Sequence, residues 1–142
     1  MPLAPAWVND YTGIPFVDGG RSLDGADCWG LLKIVMEEHF HVVVPTYDEY
    51  VYGDEATKEA ASKRLAEDSI KPPWIKVDLE KARAGDALLM RILGYPIHVS
   101  LVVAPCLMLH TVKGINSTIE EYDSYLWKKR IQGVFRHAAL NH

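Results

Sequence analysis

Between residues 29 and 40 the apolar side chains of Leu31, Leu32, Ile34, Val35 and Met36 cover most of a helical circumference. Lys33 and Glu37 mark one narrow polar strip. That pattern predicts a helix sunk in a core rather than lying on a surface. Asp27, just before it, can serve as N-cap by accepting from N–H groups a residue or two further on. A second helix is expected over residues 55–68, with alanines and Leu65 on one side and lysines and glutamates on a solvated face. It is broken by Lys71-Pro72-Pro73-Trp74. After Ala84-Gly85-Asp86, which reads as a turn, the pattern changes to short apolar runs. Strands are predicted at 87–92, 97–103 and 107–112, and near 117–121 and 131–136. Residues 7–25 carry Gly13, Pro15, Gly19, Gly20 and Gly25 and are expected to be loop; residues 45–53, rich in tyrosine, are expected to be irregular. Helices followed by antiparallel strands with short turns imply an α+β domain, its helices packed on one face of a central antiparallel sheet.

Length and composition narrow the choices. A chain of 142 residues with 49% hydrophobic and 24% charged residues is expected to fold as one domain, residues 1–142. A net charge of −4 gives no electrostatic case for nucleic acid or an anionic membrane. No window approaches the roughly 18–20 apolar residues of a membrane span. The opening Met1-Pro2-Leu3-Ala4-Pro5-Ala6-Trp7 has no basic start and no continuous apolar run, so no signal peptide is read there. Synthesis in the cytoplasm is expected, with another route if the protein acts outside. Two cysteines make no disulfide framework.

The candidate chemistry centres on Cys28, in Gly25-Ala26-Asp27-Cys28-Trp29-Gly30. At the start of a helix, unpaired N–H groups and the helix dipole favour a thiolate. His98 and His110, twelve positions apart, fall on two predicted neighbouring strands. Alternation places His98, Ser100 and Val102 on one face of the first strand, and Met108 and His110 on one face of the second. A turn of about three residues centred near Ala104-Pro105 sets the two histidines nearly opposite each other on the same side. Cys28 then attacks a carbonyl carbon, His98 moves the proton, and His110 orients the His98 ring. The Cys28 N–H is a candidate oxyanion donor, a role worth roughly 3–4 kcal/mol of barrier. Thiolate and imidazolium should stabilise one another, which depresses the thiol pKa.

Zinc is the chemical rival, because Cys28, His98 and His110 are all possible ligands. No CxxC or HExxH pair is present and no fourth ligand is evident, so no cofactor is assigned. Cys106, beside Pro105, reads as a passive turn residue. His39 and His41 straddle the end of the first helix and suit its negative terminus; His137 and His142 read as solvent-facing. Tyr47, Tyr50, Tyr52 and Trp74 fit core packing or loop anchoring better than a sugar- or peptide-binding groove.

Gly13-Ile14-Pro15-Phe16-Val17-Asp18-Gly19-Gly20 followed by Gly25-Ala26-Asp27-Cys28-Trp29-Gly30-Leu31 resembles the nucleophile motif of NlpC-type cell-wall peptidases. Gly85-Asp86-Ala87-Leu88, His98-Val99-Ser100-Leu101 and Leu109-His110 resemble that family's later motifs, in family order. The resemblance covers residues 7–112. It implies a papain-like fold and a cysteine peptidase that cuts peptidoglycan stem peptides, with Cys28, His98 and His110 as the catalytic positions. It also implies substrate contacts at Phe16, Asp18, Asp27 and Trp29. The family usually has tyrosine at the position of Phe16, an aromatic at Asp18 and often serine at Trp29, so the groove beside the thiol differs here. The Trp29 form is similar to versions encoded beside phage tail proteins. That similarity implies phage tail partners and carriage to the cell wall in a virion. Two other readings stay open: an amidase, acyltransferase or thioesterase on the same scaffold, or a non-catalytic component of a phage tail tip.

Overall fold

The computed structural model describes residues 3–45, 72–92 and 95–141. The helix expected at 55–68, Tyr47, Tyr50, Tyr52 and His142 lie outside the described residues. Helix α1 (Cys28–Glu38) forms where the apolar run predicts it, with Leu31, Leu32, Val35 and Met36 fully buried. The segment expected to be loop carries more order than its glycines suggest. It holds a 3₁₀ helix, Ala6–Tyr11, and two short paired strands, β1 (Arg21–Ser22) and β2 (Gly25–Ala26).

Among the described residues, six strands form one antiparallel sheet. They are β3 (Trp74–Val77), β4 (Ala87–Ile92), β5 (Tyr95–Ala104), β6 (Leu107–Val112), β7 (Ile115–Glu121) and β8 (Ile131–His137), in the spatial order β3-β8-β4-β5-β6-β7. Strand β3 was not foreseen. Only Trp74 of its four residues is buried, so it shows no alternation to read.

Alternation divides the sheet into two apolar faces. Leu89, Val99, Leu101, Val103, Leu107 and Leu109 join the α1 side chains in the main core. Leu88, Met90, Val102, Met108 and Val134 make a second cluster with Tyr122 and Trp127. Both aromatics come from the β7–β8 connection. Strand β7 is an edge and β8 lies beyond β4, so this connection must pass back over the second face. The result is an α+β papain-like domain in which, among the described residues, α1 lies on one face of the sheet and the return segment on the other.

The turn into β4 is held by charge. Gly85, at φ 98°, donates to Val102 O at 3.0 Å, and Val102 N donates back to Asp86 O at 2.8 Å. The Asp86 carboxylate receives Arg136 at 2.8 and 2.9 Å and the Arg83 N–H at 2.9 Å. This buried pair fixes β4 against β8, and the carboxylate raises the Arg136 pKa.

Candidate active site

Cys28 is the first residue of α1 and is buried. Asp27 caps the helix: its fully buried carboxylate accepts from Gly30 N at 2.8 Å, Gly19 N at 3.1 Å and Arg21 at 2.6 Å. Arg21 also donates to Gly20 O at 2.9 Å, so the 17–20 turn is tied down over the start of the helix. Gly30 is required by that closeness, because a Cβ there would lie 2.0 Å from Gly20 O. The sequence thus builds a rigid collar around the thiol's helix end, where the dipole favours negative charge.

Two residues assigned to substrate contact are buried here. Asp27 spends its carboxylate on the collar and has no exposed surface. Trp29 is also buried; its indole N–H donates to Pro45 O at 2.8 Å and its ring meets Trp74 edge-on at 6.4 Å. The collar folds over both side chains, which adjacency to the thiol could not reveal. Phe16 is half-buried and bridges to Ala26, and Asp18 is exposed, so both stand at the rim of the collar.

The histidines come together, though not as the hairpin register predicted. The turn is tighter than expected, Pro105-Cys106, with Cys106 at φ 69°. A register shift between Val102 and Ala104 then gives Leu101↔Leu109 and Val102↔Met108. Continuing that register sets His110 opposite Ser100, so His98 and His110 are diagonal rather than opposite neighbours. The imidazoles bridge the diagonal, with His98 Nε2 and His110 Nδ1 2.9 Å apart. Trp127 covers them, stacked on His98 at 6.0 Å and edge-on to His110 at 5.0 Å.

One residue was missed. Glu120 on β7 makes a hydrogen bond through Oε2 with His110 Nε2. The β6–β7 register pairs Met108 with Glu120 and His110 with Thr118, so Glu120 shares the histidines' face one diagonal step further on. The even positions 118 and 120, read with the Lys113-Gly114 turn, were the available signal.

The electrostatics revise another expectation. Burial, then the neighbouring His110, push the His98 pKa down to about 3. Burial also lowers His110, outweighing the opposing pull of Glu120. Both rings therefore rest neutral near pH 7, rather than His98 being held as an imidazolium. The body of α1 packs across β5 and β6 on their odd-numbered face, and the imidazoles stand with the even-numbered residues.

The other candidates are structural. Among the described residues no group of three His, Cys, Asp or Glu side chains is placed to hold a metal. Cys106 is half-buried in its turn, and a hydrogen bond with Asp123 leads the causes that raise its pKa. His39 ends α1 and stacks on Trp7 at 3.9 Å; His41 takes a left-handed φ of 59°. His137 is not simply solvent-facing: it packs on Trp74 at 5.3 Å and accepts from Ala139 N at 3.1 Å. Trp74 is buried, in line with a packing role.

Solved structures share this fold. An NlpC/P60 protein from Bacillus cereus ATCC 10987 superposes with a TM-score of 0.64 at 18% identity, over 96% of this chain and 41% of its own. A protein described as similar to lipoprotein, NLP/P60 family, from Staphylococcus aureus Mu50 gives 0.61 at 20%, over 89% and 37%. The NlpC/p60 domain of peptidoglycan hydrolase SagA gives 0.58 at 20%, over 91% and 92%. The chain thus spans well under half of the first two of these and nearly all of the SagA domain. No curated protein matches its sequence. The NlpC/P60 family profile matches residues 13–136, and the chain belongs to that family.

Proposed function

We propose that this protein is a cysteine peptidase that hydrolyses amide bonds in peptidoglycan stem peptides, with Cys28 as nucleophile, His98 as base and His110 as orienting residue. The observation that carries the proposal is the buried His98–His110 hydrogen bond, on the two strands against which the Cys28 helix packs. The peptidoglycan hydrolase SagA, whose domain shares this fold, supports the choice of substrate.

His98 uses Nε2 toward His110, so Nδ1 is the nitrogen left to take the thiol proton. For this, the first turn of α1 must hold the sulfur within reach of His98 Nδ1. The thiolate then adds to the amide carbonyl carbon, and the Cys28 backbone N–H, at the helix start, donates to the developing oxyanion. The C–N bond breaks as His98 returns the proton to the leaving amine. Water, deprotonated by His98, attacks the thioester and releases a carboxylate and the thiol. Phe16 and Asp18, at the rim of the collar, are assigned to contact the peptide, as the family resemblance implies.

Purified muropeptides incubated with wild type, Cys28→Ala, His98→Ala and His110→Ala test the proposal. Each variant should lose orders of magnitude in rate, and the losses should not add. Product masses separate hydrolysis from acyl transfer. A thiol probe that labels Cys28 no faster than Cys106 would instead favour a non-catalytic tail component. Carriage on a phage tail is also proposed, supported by the Trp29 form of the motif; genes for tail proteins beside this one would support it further.

A further inference from the structure

The His98–His110 pair continues to a third residue. His110 contacts His98 through Nδ1 and Glu120 through Nε2, so the three side chains form one line across β5, β6 and β7. All three occupy even positions on the face covered by Trp127. A neutral imidazole carries one N–H and one lone pair, and which nitrogen holds which is set by its partners. A carboxylate can only accept.

We propose that Glu120 is a positioning residue whose acceptor-only carboxylate sets the tautomers of both histidines, so that His98 keeps a bare lone pair on Nδ1. The chain of constraint runs in one direction. Glu120 accepts, so His110 places its N–H on Nε2 and leaves Nδ1 as an acceptor. His98 must therefore donate from Nε2, and its own Nδ1 is left without a proton. Reversing a link would set two donors or two lone pairs against each other, most unfavourably at the buried His98–His110 contact. Trp127 seals the line on one side, stacked on His98 and itself beneath the Arg130 guanidinium at 5.5 Å. The catalytic consequence rests on the function proposed above; the tautomer assignment does not.

The test is two-bond ¹H–¹⁵N correlation of the histidine rings near neutral pH in wild type, Glu120→Ala and Glu120→Gln, with muropeptide hydrolysis measured alongside. In wild type both rings should carry the proton on Nε2. In Glu120→Ala, His110 should become a mixture of tautomers and His98 should follow it. Glu120→Gln should fall between, because an amide can accept or donate; being nearly isosteric, it keeps the test valid if the alanine variant folds poorly. Hydrolysis should fall on the order of ten- to a hundred-fold in Glu120→Ala, part of what a positioned base supplies, and less in Glu120→Gln. Unchanged ring patterns in both variants would overturn the inference, whatever the rates. If the tautomers shift but wild type cleaves nothing, the relay stands and the peptidase function fails.

Discussion

Nε2 of His98 and Nδ1 of His110 meet at 2.9 Å beneath the indole of Trp127, on the sheet face turned away from the body of α1. Neither ring is solvated well enough to hold a proton easily, and this has a cost in acid. His98 has a pKa near 6.5 when unfolded and about 3 when folded, so between those values the unfolded chain binds the extra proton. Stability is therefore complete above about pH 6.5 and falls as the pH drops toward 3, by about 1.4 kcal/mol per pH unit for His98 alone. Urea unfolding at several pH values between 7 and 5, above the range of ordinary carboxylates, should show that slope, and His98→Asn should flatten it. A stability independent of pH across this window would contradict the buried neutral pair.

Trp127 supplies that burial. Trp127→Ala should uncover both rings and raise the His98 pKa toward 6.5, at about 3–5 kcal/mol of stability for the lost aromatic. Trp127→Phe keeps a stacking surface and removes an indole N–H that is buried with no hydrogen-bond partner among the described residues, so its cost should be far smaller. An NMR titration of His98 in the three proteins checks the order. Equal pKa values in wild type and Trp127→Ala would show that the indole does not control the site.

Asp27 holds the other half of the site through Gly19, Arg21 and Gly30. Asp27→Ala removes the helix cap and strands the largely buried Arg21, and should cost about 3 kcal/mol. Asp27→Asn retains an acceptor for Gly30 N and should cost about 1 kcal/mol. Chemical denaturation separates the two. Equal losses would mean that the capping geometry contributes little.

Gly30 tests the collar by volume. Its missing side chain leaves room for Gly20 O, which a Cβ would approach to 2.0 Å. Gly30→Ala should force the 17–20 turn off the helix and slow the labelling of Cys28 by a thiol reagent, although alanine is the better helix former. Labelling at the wild-type rate, with stability unchanged, would show that the collar yields without effect on the thiol.

Much of this was legible in the chain, and the exceptions have physical causes. Strands β4 and β6 fall at 87–92 and 107–112 as predicted, because their apolar runs are bounded by clear turns. The helix opened by Cys28 was legible for the same reason. The register of β5 against β6 was not, since the shift between Val102 and Ala104 inserts an irregularity that leaves no mark in hydrophobic pattern. The histidines' shared face survived because the shift did not change their parity. The burial of Asp27 and Trp29 was not legible, because proximity to Cys28 along the chain says nothing about which side chains the collar folds over. Glu120 went unnoticed because a glutamate in a strand ordinarily faces water; only its pairing opposite Met108 places it beside His110.

The most direct measurement of the central claim is the initial rate at which purified muropeptides are cleaved by wild type and by Cys28→Ala, followed by mass spectrometry of the products. Wild type is expected to release new amine and carboxylate ends at a stem-peptide amide, and Cys28→Ala to release none above background. Cleavage by Cys28→Ala at the wild-type rate would contradict the assignment of that sulfur as the nucleophile.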